Sequence, residues 1–523
     1  MGTERPSNVL FVVLDTVRKD HLTPYGYDRP TSPTLDAFAE EATVFDSAIA
    51  QAPWTLPVHA SMFTGLYPSQ HGADQASPYL DDVATLASIL SAAGYDTGCF
   101  SSNAWISPYT KLTRGFEDHD SFFEILPRDF LSGPLGRAWQ MINDDDRLRE
   151  LASRLVRMGA RAHAWFASGE EASSKTPAVI DRTKTFIEES DSEAGWFAFT
   201  NLMDAHLPYY PPETHRERFA PGVDPSSVCQ NSKEYNSGAR DVNEDEWRDI
   251  RGLYDAEIAH ADAEVGRLFD WLRSTDRWED TTVVVCSDHG ELLGEHDLYG
   301  HEFALYDELI NVPLLVKHPS LGSGRRSDIV ELLDLYHTTL DALDIDTTGV
   351  VVDHEVVPFD EERSLLSANY RVFAGGDGSD PGKRAIVENG GASADYAFVE
   401  YELPVIELHH LEEKAAEAGI ELPPDHRAYS RMRASRGQKA KYIRADRIPD
   451  EGYRVDLDPG ERSPVDPAGD EAVAEADRTL ALFERHTSGE RDAPEPDVSG
   501  DEDPLSDADE ELQNRLRELG YLE

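Results

Sequence analysis

The chain has 523 residues, of which 40% are hydrophobic, so it is long enough for a large core and too apolar for a disordered protein. Its 101 acidic residues against 48 basic ones give a formal charge of −53. A surface of this charge repels phosphate backbones, which excludes general affinity for nucleic acid. Because the acid excess is spread along the whole chain, we interpret it as adaptation to a salt-rich cytoplasm rather than as a face for a cationic partner.

Signals for an oxidising or membrane environment are weak. Three widely spaced cysteines, Cys99, Cys229 and Cys286, argue against a disulfide framework. The apolar run 8–14 is too short for a signal peptide, and no stretch approaches the ~20 apolar residues of a membrane-spanning helix. We therefore expect a cytoplasmic protein without a transmembrane segment, and the oligomeric state stays open.

Short apolar runs alternate with helical patterns over the first two thirds of the chain. Strands that are apolar throughout must be covered on both faces, so this alternation predicts an α/β fold with a mostly parallel central sheet sandwiched by helices. In such a sheet the ligand site lies beyond the carboxyl ends of the strands. The predicted strands are NVLFVVL (8–14), DTGCFS (96–101), WFAFTNL (196–202), TTVVVC (281–286) and VPLLVK (312–317).

Changes in composition divide the chain into three predicted regions. We expect a catalytic α/β domain at 1–370 with a helical insertion at 130–180, a smaller C-terminal α+β subdomain at 371–488, and an acidic linker with a short C-terminal helix at 489–523. Within the insertion, 147–165 places apolar side chains at helical spacing and arginines on other faces. This helix is expected to pack on the main domain, and an interfacial contact with lipid is the alternative.

Polar residues that follow two of the predicted strands are candidates for chemistry. Asp15 follows the first strand, and Asp288 with His289 follow strand 281–286. The carboxyl ends of parallel strands meet at one edge of a sheet, so these side chains can converge. Two carboxylates and an imidazole suit one divalent ion, such as Mg²⁺, Ca²⁺, Mn²⁺ or Zn²⁺. Taken singly, each aspartate after a strand would be read as a helix cap.

The segment APWTLPVHASMFTG (52–65) places a hydroxyl residue at the start of a predicted helix. Pro57 near the first helical position would set Thr55 at the helix N-terminus, where the dipole and free N–H groups favour anions. A hydroxyl on a metal ion at such a place can lose its proton and become a nucleophile. Alone, Thr55 would be read as an N-cap.

Together these segments resemble the sulfatase branch of the alkaline phosphatase superfamily over about residues 8–345. The resemblance rests on NVLFVVLDTVRKDHLTPYGY, TSPTLDAFAEEATVFDSAIAQAPWTLPVHASMFTGLYPSQHG, MDAHLPYYPP, SDHGELLGEHDLYGH and LYDELINVPLLVKHP, in this order. It implies an alkaline phosphatase-like fold and a metal-dependent hydrolase of sulfuric or phosphoric esters. By position it implies that the metal ligands are Asp15, Thr55, Asp288 and His289, with Thr55 as the metal-bound nucleophile.

The resemblance also implies roles for two further histidines. His206 matches a histidine that contacts the substrate or donates a proton. His301 stands where the family often has a lysine on the substrate's oxyanion, so an imidazolium there would stabilise that charge and a neutral imidazole would protonate the leaving group. A second ion is an alternative if Asp204 converges with these two histidines. Three nearby carboxylates are expected to support the site or face solvent: Glu291, Glu295 and Asp297.

The chain departs from the family pattern at positions that handle sulfate. Sulfatases commonly carry a Cys/Ser-x-Pro-x-Arg motif that is converted to formylglycine, whereas TLPVH has Thr55 for the cysteine and His59 for the arginine. By this position His59 is a candidate catalytic residue. Threonine cannot become formylglycine, so none is expected. The family's Gly-Lys-x-x-His segment is replaced by SSNAWIS, in which Asn103 is a candidate for a neutral oxyanion contact or an ordinary loop residue. Thr16 replaces what is often a second aspartate.

These departures favour phosphate or phosphonate esters over sulfate esters, because an ester intermediate on threonine can be displaced by water or by an alcohol. The leading hypothesis is a metal-dependent hydrolase that acts on an anionic sulfate or phosphate ester. Two alternatives stay open. One is a transferase that moves a phospho-headgroup onto a glycan or lipid, and the other is a metal-binding homologue without activity.

Overall fold

The structure of the protein, a computed structural model, covers most of the two predicted folded regions. The predicted helix 147–165, residues 130–173 of the insertion, the boundary at 370 and the segment 489–523 lie outside the described residues, so these predictions stay untested. The residues that the structure describes are 7–81, 83–122, 174–347, 351–352, 355–356, 359–360, 363–367 and 395–487.

An eight-stranded sheet forms the centre of the molecule. Its spatial order is β8-β2-β7-β6-β1-β5-β3-β4 for strands β1 (Asn8–Leu14), β2 (Thr43–Ile49), β3 (Asp96–Ser101), β4 (Asp118–Asp120), β5 (Trp196–Leu202), β6 (Thr281–Cys286), β7 (Asn311–Lys317) and β8 (Gly324–Glu331). All neighbouring pairs are parallel except the two that β7 forms with β2 and β6. The connection from β6 to β7 lacks the long crossover helix that a parallel pair requires. The predicted mostly parallel sheet is confirmed.

Helices cover both faces of the sheet, as its apolar strands require. Alternate residues of β1 enter two separate hydrophobic layers: Phe11 packs in the layer that contains helix Thr55–Thr64, and Val12 packs in the layer that contains helix Glu244–Ser274. No helix of the described residues is long and apolar enough to span a membrane. The helices are α1 (Pro33–Ala39), α2 (Thr55–Thr64), α3 (Pro68–His71), α4 (Leu86–Ala92), α5 (Thr176–Glu189), α6 (Glu213–Phe219), α7 (Ser232–Asn236), α8 (Glu244–Ser274), α9 (Asp307–Ile310), α10 (Asp334–Ala342), α11 (Val405–Glu417) and α12 (Glu471–Thr487).

A smaller antiparallel sheet follows in the C-terminal part of the chain. Its strands, in chain and spatial order, are β9 (Tyr396–Tyr401), β10 (Met432–Gly437), β11 (Lys441–Ala445) and β12 (Glu451–Tyr453). Helix α12 packs on this sheet, where the rings of Phe398 and Phe483 stack at 4.2 Å between centroids. The sheet also joins the main domain, because the Phe398 N–H donates to Glu331 Oε1 at the end of β8 (2.9 Å). The predicted C-terminal α+β region is therefore present.

Candidate metal centre and active site

The ends of strands β1 and β6 lie side by side and carry the predicted metal ligands. Val13 of β1 is in register with Cys286 of β6, so Asp15 and Asp288 follow at neighbouring strand ends. Ser287 joins the two ends, since its Oγ lies 2.5 Å from the carbonyl oxygen of Leu14. Because these parallel strands end at the same edge of the sheet, residues that are far apart in the chain lie close together there.

Asp15, Asp288 and His289 form the one group of three possible metal ligands among the described residues, with ligand atoms within 4.8 Å of one another. His289 Nε2 lies 3.5 Å from Asp288 Oδ2 and 3.9 Å from Asp15 Oδ1. All three side chains are completely buried. Two carboxylates at this distance in a buried place repel each other, and both burial and Asp15 raise the pKa of Asp288.

Each carboxylate has one oxygen that is fixed by N–H donors and one that is left over. Asp15 Oδ2 accepts from Asn103 Nδ2 (2.7 Å) and Asn201 Nδ2 (3.3 Å), and Asp288 Oδ1 accepts from the His289 N–H (2.9 Å). Asp15 Oδ1 and Asp288 Oδ2 are buried without a hydrogen-bond partner among the described residues. A buried, unpaired carboxylate oxygen is costly unless a cation binds it.

The third ligand is oriented to match these two oxygens. His289 Nδ1 lies 3.0 Å from the carbonyl oxygen of Gly290, which requires the proton on Nδ1 and leaves the Nε2 lone pair facing the carboxylates. Burial lowers the pKa of His289 well below its usual range, so the ring is neutral as a metal ligand must be. Two carboxylate oxygens and one imidazole nitrogen fit a divalent cation, and the residues present therefore fit the metal ion that the family implies.

Thr55 is the first residue of α2, directly after the N-cap residue Trp54. Taken alone, Thr55 would be read as the N-cap. In the structure its side chain does not cap this helix. Its Oγ1 lies 3.4 Å from His289 Nε2 and 3.2 Å from Asn103 Nδ2, and the residue is buried. The hydroxyl therefore borders the metal-ligand group, and the roles of Thr55 as ligand and nucleophile stay predictions.

Asn103 links the hydroxyl to the carboxylate. Its Nδ2 donates to Asp15 Oδ2 and to Thr55 Oγ1, and its Oδ1 accepts from the Trp105 N–H (2.9 Å). Both ends of the amide are thus engaged, and Asn103 is completely buried. The structure places Asn103, the candidate from the segment SSNAWIS, in the site. Its direct contact with a substrate stays a prediction.

His59 lies one helical turn after Thr55 in α2. Its Nδ1 is 2.9 Å from the carbonyl oxygen of Thr55 and 3.7 Å from Asp288 Oδ2. The ring is completely buried and packs edge-on against Phe199, with centroids 5.6 Å apart. Burial lowers the pKa of His59 to about 4, so it is neutral where the family carries a charged arginine. A catalytic role for His59 stays a prediction.

His206 and His301 lie beside the metal-ligand group as two neighbouring rings, tilted by 59° and of unequal charge. The His301 ring centroid is 4.5 Å from that of His289 and 5.1 Å from that of His206. Burial opposes a charge on His301, but Glu302 and Glu291 raise its pKa to about 9. Burial and the neighbouring His301 lower the pKa of His206. The pair therefore offers one proton donor and one neutral ring.

The three carboxylates of the SDHGELLGEHD loop have different surroundings. Glu291 is completely buried, and its Oε1 lies 3.2 Å from His301 Nδ1. Glu295 pairs with Arg18 at 2.9 Å, and Asp297 is exposed. Both expected surroundings therefore occur: Glu291 supports His301 in the site, and Asp297 faces solvent.

The second-ion alternative is not favoured by the described residues. Asp204 accepts hydrogen bonds from the hydroxyl groups of Ser174 and Thr176, and its Oδ1 lies 3.7 Å from His260 Nε2. It does not form a three-ligand group with His206 and His301. Asp204 and His206 are near in sequence, but the hydroxyl groups of Ser174 and Thr176, at the start of α5, hold the carboxylate.

Two features of the site were not predicted from the sequence. Asn201 donates to Asp15 and accepts from Ser101 Oγ (3.0 Å), and a polar residue at the end of a buried strand next to β1 was the available signal. The other feature is a pocket beside the hydroxyl, formed jointly by the main domain and the C-terminal region. Its lining residues are Trp54, Thr55, Gln75, His301, Glu302, Tyr401, Pro404 and Glu407.

Comparison with known proteins identifies the family of the chain. The Sulfatase family model matches residues 7–345. An arylsulfatase of Clostridium perfringens is 24% identical over 396 residues, covering 69% of this chain and 80% of its own length. A choline-sulfatase of Rhizobium meliloti is 26% identical over 386 residues, covering 70% and 72%. The phosphonate monoester hydrolase of Agrobacterium radiobacter shares the fold, with a TM-score of 0.61 and 21% identity over 92% of this chain and 96% of its own. The chain therefore belongs to the sulfatase family of the alkaline phosphatase superfamily and is an ester-hydrolysing enzyme.

Proposed function

We propose that the enzyme hydrolyses phosphate or phosphonate esters, in preference to sulfate esters, with Thr55 as the nucleophile. The observation that carries this proposal is the position of Thr55 Oγ1, which lies 3.4 Å from His289 Nε2 at the edge of the metal-ligand group. The same hydroxyl accepts a hydrogen bond from Asn103 Nδ2 at 3.2 Å. A hydroxyl at the first residue of a ten-residue helix is also favoured as an anion by the helix dipole.

We propose that one divalent ion is held by Asp15, Asp288 and His289, with Thr55 as a further ligand. Such an ion lowers the pKa of an adjacent hydroxyl and neutralises the oxygens of the group that is transferred. Oxygen-rich ligand sets suit Mg²⁺, Ca²⁺ and Mn²⁺, and a histidine also admits Zn²⁺. The unpaired oxygens of the two carboxylates support this assignment.

The reaction is an in-line displacement in two steps. The Thr55 hydroxyl first gives its proton to solvent. Its oxygen then forms a bond to phosphorus while the bond to the leaving oxygen breaks, and protonated His301 gives its Nε2 proton to that leaving oxygen. Water then displaces the Thr55 oxygen from phosphorus, and His301, now neutral, accepts a proton from this water. Glu291 holds the other ring nitrogen of His301 and so keeps the ring charged and oriented.

The preference for phospho esters follows from two residues. No formylglycine is expected because Thr55 cannot form one, so sulfate cannot leave by collapse of a hemiacetal. His59 is neutral and buried where a family arginine would provide charge. The relatives named for sulfate esters, such as the arylsulfatase, make aryl sulfate the necessary competitor in any assay.

The test is a comparison of p-nitrophenyl sulfate, p-nitrophenyl phosphate, bis-p-nitrophenyl phosphate and p-nitrophenyl phenylphosphonate, with each metal ion restored after chelation. We expect the highest kcat/KM on a phospho ester. We expect Thr55→Ala to lower it by at least about 10³-fold, because the nucleophile is lost. Higher turnover of the sulfate would contradict the phospho preference, and near-normal rates for Thr55→Ala would contradict the nucleophile.

The two alternative functions give different products in the same assay. A transferase would form a new ester when an acceptor alcohol is added, whereas the hydrolase releases the acid. A silent homologue would bind the metal ion and turn over none of the four esters.

Adaptation to a salt-rich cytoplasm, which we infer from the charge of −53, predicts that molar KCl raises the unfolding temperature of the protein, because screening relieves the repulsion between its acidic residues.

A further inference from the structure

The pocket beside Thr55 is closed by the start of the C-terminal region. Tyr401 ends β9, and Pro404 and Glu407 lie at the start of α11. This segment is tied to the main domain, because the Ile406 N–H donates to Gln75 Oε1 at 2.9 Å and Gln75 itself lines the pocket. The organic part of an ester bound at Thr55 would therefore extend toward residues of the C-terminal region.

Glu407 is a buried carboxylate of this pocket with an oxygen that has no partner. The residue is 1% exposed, and its Oε2 lies 2.5 Å from Lys233 Nζ. Its Oε1 is buried without a hydrogen-bond partner among the described residues. A buried acceptor costs free energy unless a donor reaches it, so this oxygen favours a ligand with an N–H or O–H group.

The charges around the pocket do not balance. Lys233 Nζ also contacts Glu302 Oε1 at 2.6 Å, so one ammonium group serves two pocket-lining carboxylates. The other cation of the pocket, His301, hydrogen-bonds through Nδ1 to a third carboxylate, Glu291. These five groups carry an excess of one negative charge when all are ionised. Burial raises the pKa of Glu407, and a cation in the pocket would act in the opposite direction.

Two aromatic residues complete the walls of the pocket. Trp54 precedes the nucleophile, and Tyr401 stands on the side of the C-terminal region. Aromatic rings stabilise cations, and they exclude the water that would otherwise screen the carboxylates. An anionic organic group would face uncompensated carboxylates here and is disfavoured.

We propose that this pocket binds a primary ammonium group on the organic part of the ester, with Glu407 Oε1 as its hydrogen-bond acceptor. The inference rests on the proposed function, since the ester must react at Thr55. A primary ammonium fits better than a quaternary one because the unpaired atom is an acceptor and needs an N–H donor. A neutral hydroxyl would satisfy the acceptor but leave the excess charge.

The test uses two esters that differ only in this charge. The 2-aminoethyl and n-propyl monoesters of phenylphosphonate place an ammonium or a methyl group at the same position. We expect the wild-type enzyme to show a kcat/KM at least about tenfold higher for the 2-aminoethyl ester, because the charge meets a buried carboxylate. The choline ester should fall between the two, since its quaternary nitrogen carries charge without an N–H.

Variants of helix α11 locate the effect. In Glu407→Gln the ratio of the two kcat/KM values should fall to below about threefold, because the buried carboxylate charge is lost. Glu417→Gln removes an exposed carboxylate of the same helix and should leave the ratio unchanged. Should Glu407→Gln fail to fold, Glu407→Asp keeps the charge and displaces it, and it should lower the ratio only in part.

The outcomes separate this inference from the proposed function. Turnover of p-nitrophenyl phenylphosphonate with an ester ratio near one, or with neither alkyl ester accepted, would overturn the ammonium pocket and leave the nucleophile untouched. An unchanged ratio in Glu407→Gln would assign the preference to another residue and also overturn it. No turnover of any ester by the metal-loaded enzyme would overturn the proposed function itself.

Discussion

The floor and the wall of the site differ in how they are built. The floor, defined as Asp15, Asp288, His289 and Thr55, lies just after the ends of β1 and β6 and at the first residue of α2. The wall, defined as Lys233, Glu302, Tyr401 and Glu407, joins side chains from the main domain and from the C-terminal region. We infer that the floor provides the chemistry and that the wall selects the organic group, so changes in the two should have separable effects.

The largest effect is expected from the floor. Asp288→Asn removes a ligand charge and should lower kcat/KM by at least about 10³-fold and weaken metal binding, because nucleophile activation depends on the ion. Asp297→Asn is the matched control, since this exposed aspartate lies in the loop that follows the same strand. Calorimetric titration with Mn²⁺ measures the binding, and unchanged affinity in Asp288→Asn would contradict the ligand assignment.

The charge of His301 should matter next. His301→Ala should lower kcat/KM by about 10²-fold or more, as the removal of a general acid does. His301→Lys restores a cation where the family often has one and should recover part of this loss. Its effect is read on esters with good and poor leaving groups, because a proton donor matters most for the poor ones. Equal losses on both would contradict proton donation by His301.

Without a metal ion, the floor should destabilise the protein. The two buried carboxylates repel each other, so Asp288→Asn should make the metal-free protein more stable than wild type by about 1–3 kcal/mol. With saturating ion the order should reverse, because the ion stabilises only the protein that binds it. Urea unfolding of both proteins with EDTA and with Mn²⁺ measures this crossing. A variant that is less stable in both conditions would contradict a repulsive, metal-binding pair.

The smallest effect is expected from the residue that supports His301. Glu291→Gln keeps the shape and removes the charge, so kcat/KM should fall by about tenfold with KM nearly unchanged. Metal affinity should stay as in wild type, which a merely structural defect would not guarantee. Glu295→Gln, in the same loop but paired with Arg18, is the control for stability. A larger loss in the control would contradict the special role of Glu291.

The floor could be predicted from the sequence because local rules govern it. A polar residue after an apolar strand and a hydroxyl before Leu-Pro have restricted places in an α/β sheet, and the order of the motifs indicated the family. Neither the burial of His59 nor the hydrogen bonds of Asp204 could be predicted, since both depend on packing between distant segments. The wall was missed for the same reason: Lys233 and Glu407 are ordinary surface residue types, and only the fold pairs a partly buried Lys233 with a buried Glu407.

The central claim is that the Thr55 oxygen takes the phosphorus of the ester. The most direct test is an acid quench of the metal-loaded enzyme within its first turnovers of p-nitrophenyl phenylphosphonate, followed by mass mapping of its peptides. The account predicts a burst of p-nitrophenol and a phenylphosphonyl group on Thr55. A phenylphosphonyl group on any other residue, or an enzyme that inverts the configuration at phosphorus and so acts in one step, would contradict it.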